Sequence, residues 1–442
     1  MKAPAIRGAL LALAVFVFAL TQFLPAVDDR EFHRDEARWI HRAVYVRDLF
    51  SPLSDVWDEE TWLTRGGSMD EQFRLRAQPP LGSYIMGIGF LVQDGELPDI
   101  GFWNMDHDDA WNAEAGNMPT RDQLLAGRRT NAVVSAVTAV AVFLTARRIT
   151  NDLGGVAAGA FFALHPLAIY VATFAGSDAV LGLTIALAAV AAYRYADHPT
   201  WPRAVMLGVA IGLGGAAKLS PLGIAVTLAA LGGLVIVARF ALKEGDLPPL
   251  RVGFGLLSTP IVAGVTFVAS YPYLWRDPIG NAMNLLDYRT LGMALQGSLW
   301  EGISVDSRTE ALARIGDRLG AEMTVLGRFT SLDGQALSAE LALGAAGLVL
   351  LLWLVMRRGV WSATALAASV LLSTAAITVY GLEADWARYH LPILLLQATA
   401  IGVGSGHVTD WVRATISQPG TRPLPRTGNG GIMERYGDGA DR

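Results

Sequence analysis

The chain has 442 residues, 52% hydrophobic and only 17% charged, with a mean hydropathy of +0.37 and a formal net charge of -5. Such a balance leaves too little polar surface for an ordinary soluble protein of this length, and apolar runs long enough to cross a roughly 30 Å hydrocarbon core as helix recur throughout. The absence of cysteine excludes disulfides, thiolate metal sites and cysteine nucleophiles.

The expected fold is all-α, a polytopic membrane helix bundle of about ten transmembrane helices, each of the length such a core requires. Lys2 and Arg7 precede an apolar run over 8–27. It reads as a retained anchor with a cytoplasmic N-terminus, because Phe23-Leu24-Pro25-Ala26-Val27 is a poor small-x-small cleavage site. From Asp28 to Asp122 the chain turns polar and holds 20 Asp or Glu against 9 Arg. Inside that stretch, Pro79 to Val92 is apolar over only about 14 residues, short for a span. Counted as a span, it would place the acidic 94–122 segment inside and Arg147-Arg148 and Arg357-Arg358 outside. Counted as an interfacial helix, it makes every inner connection basic, and the positive-inside rule selects that reading.

The remaining spans are expected at about 126–146, 154–174, 178–194, 203–217, 221–239, 252–271, 340–356, 361–380 and 389–405. Residues 1–405 then form one transmembrane domain with outer loops at about 28–125 and 272–339 and both termini cytoplasmic. The second loop opens with Tyr271-Pro272-Tyr273-Leu274-Trp275, aromatics suited to headgroup level. Residues 406–442, rich in Gly, Pro, Arg and Asp without apolar periodicity, read as a disordered cytoplasmic tail. No nucleic-acid motif is present.

With this topology several charged residues share the outer face. Asp35 and Glu36 follow the first span; Glu31 to Arg34, Asp35 to Arg38 and Asp35 to Arg42 are also spacings at which a solvated helix pairs its own charges. Ser177 and Asp178 stand where a helix cap would. Lys218 lies in a turn too short to leave the membrane surface, where it either snorkels or meets a lipid phosphate. Arg388, beside Tyr389, is suited to bidentate phosphate binding or to anchoring at the interface. His165, toward the middle of the third span, reads as a packing or hydrogen-bonding residue, and Gly208-x-x-x-Gly212 as a helix-packing feature. Apart from His165, the span interiors hold almost no ionisable side chains, which favours chemistry at one rim over carriage across the bilayer.

Taken together, these segments resemble the GT-C superfamily of polyprenyl-phosphate-sugar-dependent glycosyltransferases, especially the protein O-mannosyltransferase and aminoarabinose-transferase branch. The signs are Asp35-Glu36, Gln78-Pro79-Pro80-Leu81, Gly127-Arg128-Arg129, Ser177-Asp178, Lys218 and Arg388-Tyr389-x-Leu391-Pro392, in this order and on one side. The resemblance implies transfer of a hexosyl or pentosyl unit from a polyprenyl-phosphate donor to an acceptor hydroxyl at the outer face of the plasma (inner) membrane, with inversion. Asp35 is the expected general base. Lys218, Arg388 and Tyr389 are expected to bind the lipid phosphate or substrate, with Arg128 behind them. Gln78 is a further candidate, although relatives often carry Lys or His there. Glu36 and Asp178 are expected to orient the base or, with Asp35, to hold a divalent ion such as Mg or Mn, since hard cations take oxygen ligands; the resemblance implies metal dependence in only part of the family. The loop 272–339 carries no alignable motif, so acceptor identity does not follow. A lipid-linked sugar flippase, or a non-catalytic assembly subunit, are the alternatives from other classes.

Overall fold

Helix Arg121–Ile149 illustrates how local sequence sets the spans. Thr120 and Gln123 form a reciprocal capping box at its start, while Arg147 and Arg148 sit in its last turn, where cations suit the helix dipole. The computed structural model describes residues 3–49, 57, 78–241, 248–300, 302–329 and 335–416. Among these, eight helices are long and apolar enough to cross a membrane: Ala5–Val27, Arg121–Ile149, Asp178–Asp197, Leu222–Ala241, Leu250–Ala269, Ala339–Arg358, Ala363–Gly381 and Ala387–Ile416. No strand forms among the described residues, and the molecule is a multi-pass helical bundle.

Two expected spans differ in form. The third is broken into Asp152–Leu164 and Pro166–Ala172, bent by 65°. Pro166 lacks the N–H that would continue the helix, and the extended His165 before it restarts the chain by accepting the Leu167 N–H on Nδ1 at 3.2 Å. The fifth, Trp201–Ala217, has 17 residues. It crosses Thr259–Ala269 closely at the small-residue spacing: a Cβ on Gly208 would lie 2.6 Å from Val262 Cβ, and one on Gly212 2.5 Å from the Ala263 carbonyl.

The short apolar helix of the first loop is Leu81–Gln93, with 13 residues. Its Met86 and Phe90 pack with Trp39, Ile40 and Ala126, while Ile88, Leu91 and Val92 stay exposed. This one-sided burial fits a helix lying across the end of the bundle. The second loop folds into Pro278–Leu299, Arg308–Asp317, a π-turn Arg318–Glu322 and Val325–Phe329. An antiparallel bridge from Ser304 to Ala384 ties it to the approach of the last span.

That last helix continues to Ile416, so residues 406–416 are helical rather than disordered. A tertiary contact explains the extension: the Gly406 carbonyl accepts from Asn151 Nδ2 at 2.8 Å, and Gly406 packs against Thr150 and Gly154. The rest of the expected tail, 417–442, lies outside the described residues, as do most of 50–77 in the first loop and 330–334 in the second.

Charge separates the two ends of the bundle. At one end Arg7 and Arg147 pair with Asp152, Arg358 donates to the Ile149 carbonyl at 2.8 Å, and Tyr193 donates to that of Arg148 at 2.8 Å. The opposite end carries the two long loops and the residues described next.

Candidate active site

Asp35 and Glu36 are successive residues of the helix Arg34–His41. His33 opens it: its ring Nδ1 accepts the Asp35 N–H at 3.2 Å, and its own N–H donates to Glu36 Oε2 at 3.1 Å. Successive helical side chains diverge by about 100°, so the two carboxylates face different surroundings.

Glu36 turns inward and is fully buried. Arg128 Nε and Nη2 reach its two oxygens at 2.8 Å each, and the Ala175 N–H adds a bond at 3.0 Å. The other N–H groups of Arg128 go to the carbonyls of Val27 at 3.1 Å, Arg30 at 2.8 Å and Glu31 at 2.9 Å. A guanidinium has five N–H donors and a carboxylate about four lone-pair sites, and here all are taken. This corrects two expectations. Glu36 has no free oxygen for base orientation or a metal, and Arg128 has no donor for a phosphate. The pair instead locks the first loop to the start of Arg121–Ile149 and to the turn at Ala175.

Asp35 faces the other way and keeps a quarter of its side chain exposed. Arg388 Nη2 donates to its Oδ2 at 2.8 Å, and Arg388 Nε lies 3.9 Å from Asp178 Oδ2. Lys218 Nζ donates to Asp178 Oδ1 at 2.5 Å. Four segments distant in sequence thus form an alternating chain of charges, Asp35, Arg388, Asp178 and Lys218. Ser177 makes no side-chain cap, so Asp178, in the first turn of its helix, is held by cations and by the helix dipole. Tyr389 joins the group: Lys218 Nζ lies 4.8 Å from its ring centre, and Arg289 Nη2 donates to its hydroxyl at 3.2 Å. Burial pushes the Asp35 carboxyl up, but Arg388, His33 and Arg38 outweigh it and hold the group below the ordinary aspartate range.

Gln78 is not joined to this chain by any hydrogen bond among the described residues. Its carbonyl accepts from Arg42 Nη2 at 2.5 Å, and its side-chain Oε1 is buried without a partner. Nor do the three carboxylates converge for a metal. Asp35 and Asp178 each face a cation and Glu36 is closed off, and no group of three potential ligands occurs among the described residues. Among the described residues this donor set does not fit a divalent ion.

Several residues entered only through the fold. Arg289 comes from the second loop, where no motif marked it. Asp385 accepts from His390 Nε2 at 2.8 Å and from Arg318 Nε and Nη2 at 3.3 and 3.2 Å. These bonds anchor the turn Ala387–His390, which presents Arg388 and Tyr389. Arg30 lies 4.0 Å over the ring of Tyr170, and Arg388 lies 5.2 Å from that of Phe174, so the bent helix Pro166–Ala172 and the turn after it form an aromatic wall. Asp385 lies three residues before the Arg388 run and His390 is the variable position inside it, a signal that could have found them; Arg318 had none.

Residues 110–263 match the family model for dolichyl-phosphate-mannose-protein mannosyltransferase. No curated protein sequence matches the chain. Among solved structures, the archaeal oligosaccharyltransferase AglB of Archaeoglobus fulgidus, in complex with an inhibitory peptide and a dolichol-phosphate, is similar at 12% identity and a TM-score of 0.50, covering 96% of this chain and 53% of that one. ArnT of Cupriavidus metallidurans, bound to undecaprenyl phosphate, is similar at 16% identity and a TM-score of 0.48, over 93% of this chain and 62% of that one. The Pmt1–Pmt2 protein O-mannosyltransferase complex of Saccharomyces cerevisiae, bound to the sugar donor, gives 16% identity and a TM-score of 0.39, over 61% and 34%. The chain spans about half the length of the archaeal enzyme. In sequence over residues 110–263 and in fold over nearly its whole length, the chain resembles the GT-C glycosyltransferases.

Proposed function

We propose that the protein transfers a sugar from a polyprenyl-phosphate donor to an acceptor hydroxyl at the end of the bundle that carries the long loops, the outer face by the positive-inside rule. The observation that carries this reading is the alternating chain from Asp35 to Lys218, which sets one partly exposed carboxylate beside two cations at a membrane boundary.

The donor keeps its tail in lipid and brings its phosphate to the rim. Arg388 and Lys218 are the groups it meets there, and a phosphate competes with Asp35 and Asp178 for them. Losing Arg388 to the phosphate removes the charge that holds the Asp35 carboxyl low, so donor binding raises the basicity of Asp35. The acceptor oxygen attacks the anomeric carbon, its proton passes to Asp35, and the bond from that carbon to the phosphate oxygen breaks. The electron pair leaves on the phosphate, where Arg388 and Lys218 stabilise it. A single in-line displacement of this kind inverts the anomeric centre. The hydroxyl of Tyr389, held by Arg289, borders the same phosphate position.

The test is transfer by the purified protein from radiolabelled polyprenyl-phosphate sugars to membrane or peptide acceptors, with Asp35→Asn as the variant. Transfer by the parent and its loss in the variant are expected. Unchanged transfer by the variant removes Asp35 as base. No transfer by the parent from any donor, with donor movement across proteoliposomes instead, establishes the transport reading.

A further inference from the structure

The basic end of the bundle, opposite the site above, holds a cleft of about 300 Å3 lined from the helices Arg121–Ile149, Asp178–Asp197 and Trp201–Ala217. Arg148, Arg194 and Arg203 line it, with Asp197, His198 and Met206. Three arginines against one carboxylate leave the cleft net positive, which favours an added anion. Asp197, the acid in the lining, has His198 Nδ1 at 2.8 Å and offsets only part of this charge. Among the described residues neither Arg148 nor Arg194 forms an ion pair with a carboxylate, unlike Arg147 next in sequence, which pairs with Asp152.

Two of the three cations have side-chain contacts within the cleft wall. Arg203 Nη1 donates to the carbonyls of Arg194 at 2.9 Å and His198 at 3.2 Å, joining the end of one helix to the start of the next. Tyr193 Oη donates to the Arg148 carbonyl at 2.8 Å, and the Arg148 guanidinium lies 5.9 Å from the Tyr193 ring. Below the rim the surface turns apolar, with Trp201, Val205 and Met206 exposed along the Trp201–Ala217 helix. A cluster of guanidiniums above an exposed apolar helix face suits a ligand with a phosphate at one end and hydrocarbon at the other.

We propose that this cleft binds the phosphate of an anionic phospholipid headgroup, with the acyl chains lying on the Trp201–Ala217 helix. The site is separate from the sugar-transfer reading and stands or falls without it. The full chain, purified from bilayer discs containing equal phosphatidylglycerol and phosphatidylcholine, is examined by native mass spectrometry. Preferential retention of phosphatidylglycerol is expected, falling roughly fivefold in Arg148→Gln and in Arg194→Gln, the effect of removing one cation near an anionic surface. Arg357→Gln, at the same end but outside the cleft, leaves retention unchanged. Equal retention of the two lipids by the parent overturns the proposal whether or not the variants fold. Inorganic phosphate is the second arm: if it raises the melting temperature of delipidated protein as much as phosphatidylglycerol does, the ligand is a soluble phosphate and the lipid assignment fails.

Discussion

Two ion pairs, one residue apart in sequence, divide the labour of the first loop. Glu36 and Arg128 are both almost fully buried, and every donor and acceptor between them is used. Asp35 and Arg388 meet through one hydrogen bond at 2.8 Å, with Asp35 partly exposed and Arg388 also facing Asp178. A saturated pair in a dry site is costly to break and has nothing to offer a substrate. An unsaturated pair at a rim can exchange partners, which a phosphate-binding, proton-accepting site requires. The adjacent acids therefore differ in what they leave available: the oxygens of Glu36 are all taken, and Asp35 stays partly exposed.

The comparison breaks most visibly at Asp35. Asp35→Asn should lower transfer by about 10²–10⁴-fold, the range for losing a general base, with a much smaller loss of stability than breaking the Glu36–Arg128 pair. Radiolabelled turnover and a thermal melt on the same preparation check both halves. Glu36→Ala should do the reverse. It leaves the buried Arg128 without its carboxylate and should cost about 3–5 kcal/mol of stability, read as a lower denaturation midpoint and poorer yield of folded protein. If Glu36→Ala folds normally and only loses activity, the structural assignment of that pair is wrong.

A smaller effect is expected where the short apolar helix of the first loop meets the site. A Cβ on Gly82 would lie 2.7 Å from Ser177 Cβ and 2.9 Å from Ser177 Cα, just before Asp178. Gly82→Ala should destabilise by about 1–3 kcal/mol through overpacking and shift the Asp178 turn, lowering transfer as well as the melting temperature. The smallest effect lies in pH dependence. Asp35 has its carboxyl held below the ordinary value of about 3.9, so the acid limb of kcat/KM should fall below that pH. The limb of kcat should lie higher, because bound phosphate draws Arg388 away. Since the folded state binds this proton less readily than the unfolded chain, the pair stabilises the fold above the unfolded pKa. That contribution is lost as pH falls through the folded one. Coincident limbs for kcat and kcat/KM would separate Asp35 from the phosphate.

Much of the architecture was legible in the chain because its causes are local or nearly so. Apolar length marks the spans, the capping pair Thr120 and Gln123 marks a start, and the arginines at 147–148 and 357–358 mark one end of the bundle. The short Leu81–Gln93 helix was recognisable by length and by the charge pattern on either side. Proline 166 was visible too, yet its effect on the third span was not, since proline in an apolar run bends or breaks a helix according to what packs around it. The end of the last helix was set by the contact of Gly406 with Asn151, some 255 residues away, which no local pattern carries.

For the site, the sequence by itself determined which residues could bear charge at a membrane rim, and the order in which Asp35, Asp178, Lys218 and Arg388 occur. Only the tertiary structure decided how that charge is distributed. Ion pairing depends on distance and on the partners left over after packing, and neither is encoded next to the residue concerned. Glu36 finds Arg128 across 92 residues and is closed, Asp35 finds Arg388 across 353 and remains able to exchange. A one-residue step along a helix, about 100° of rotation, separates the two outcomes.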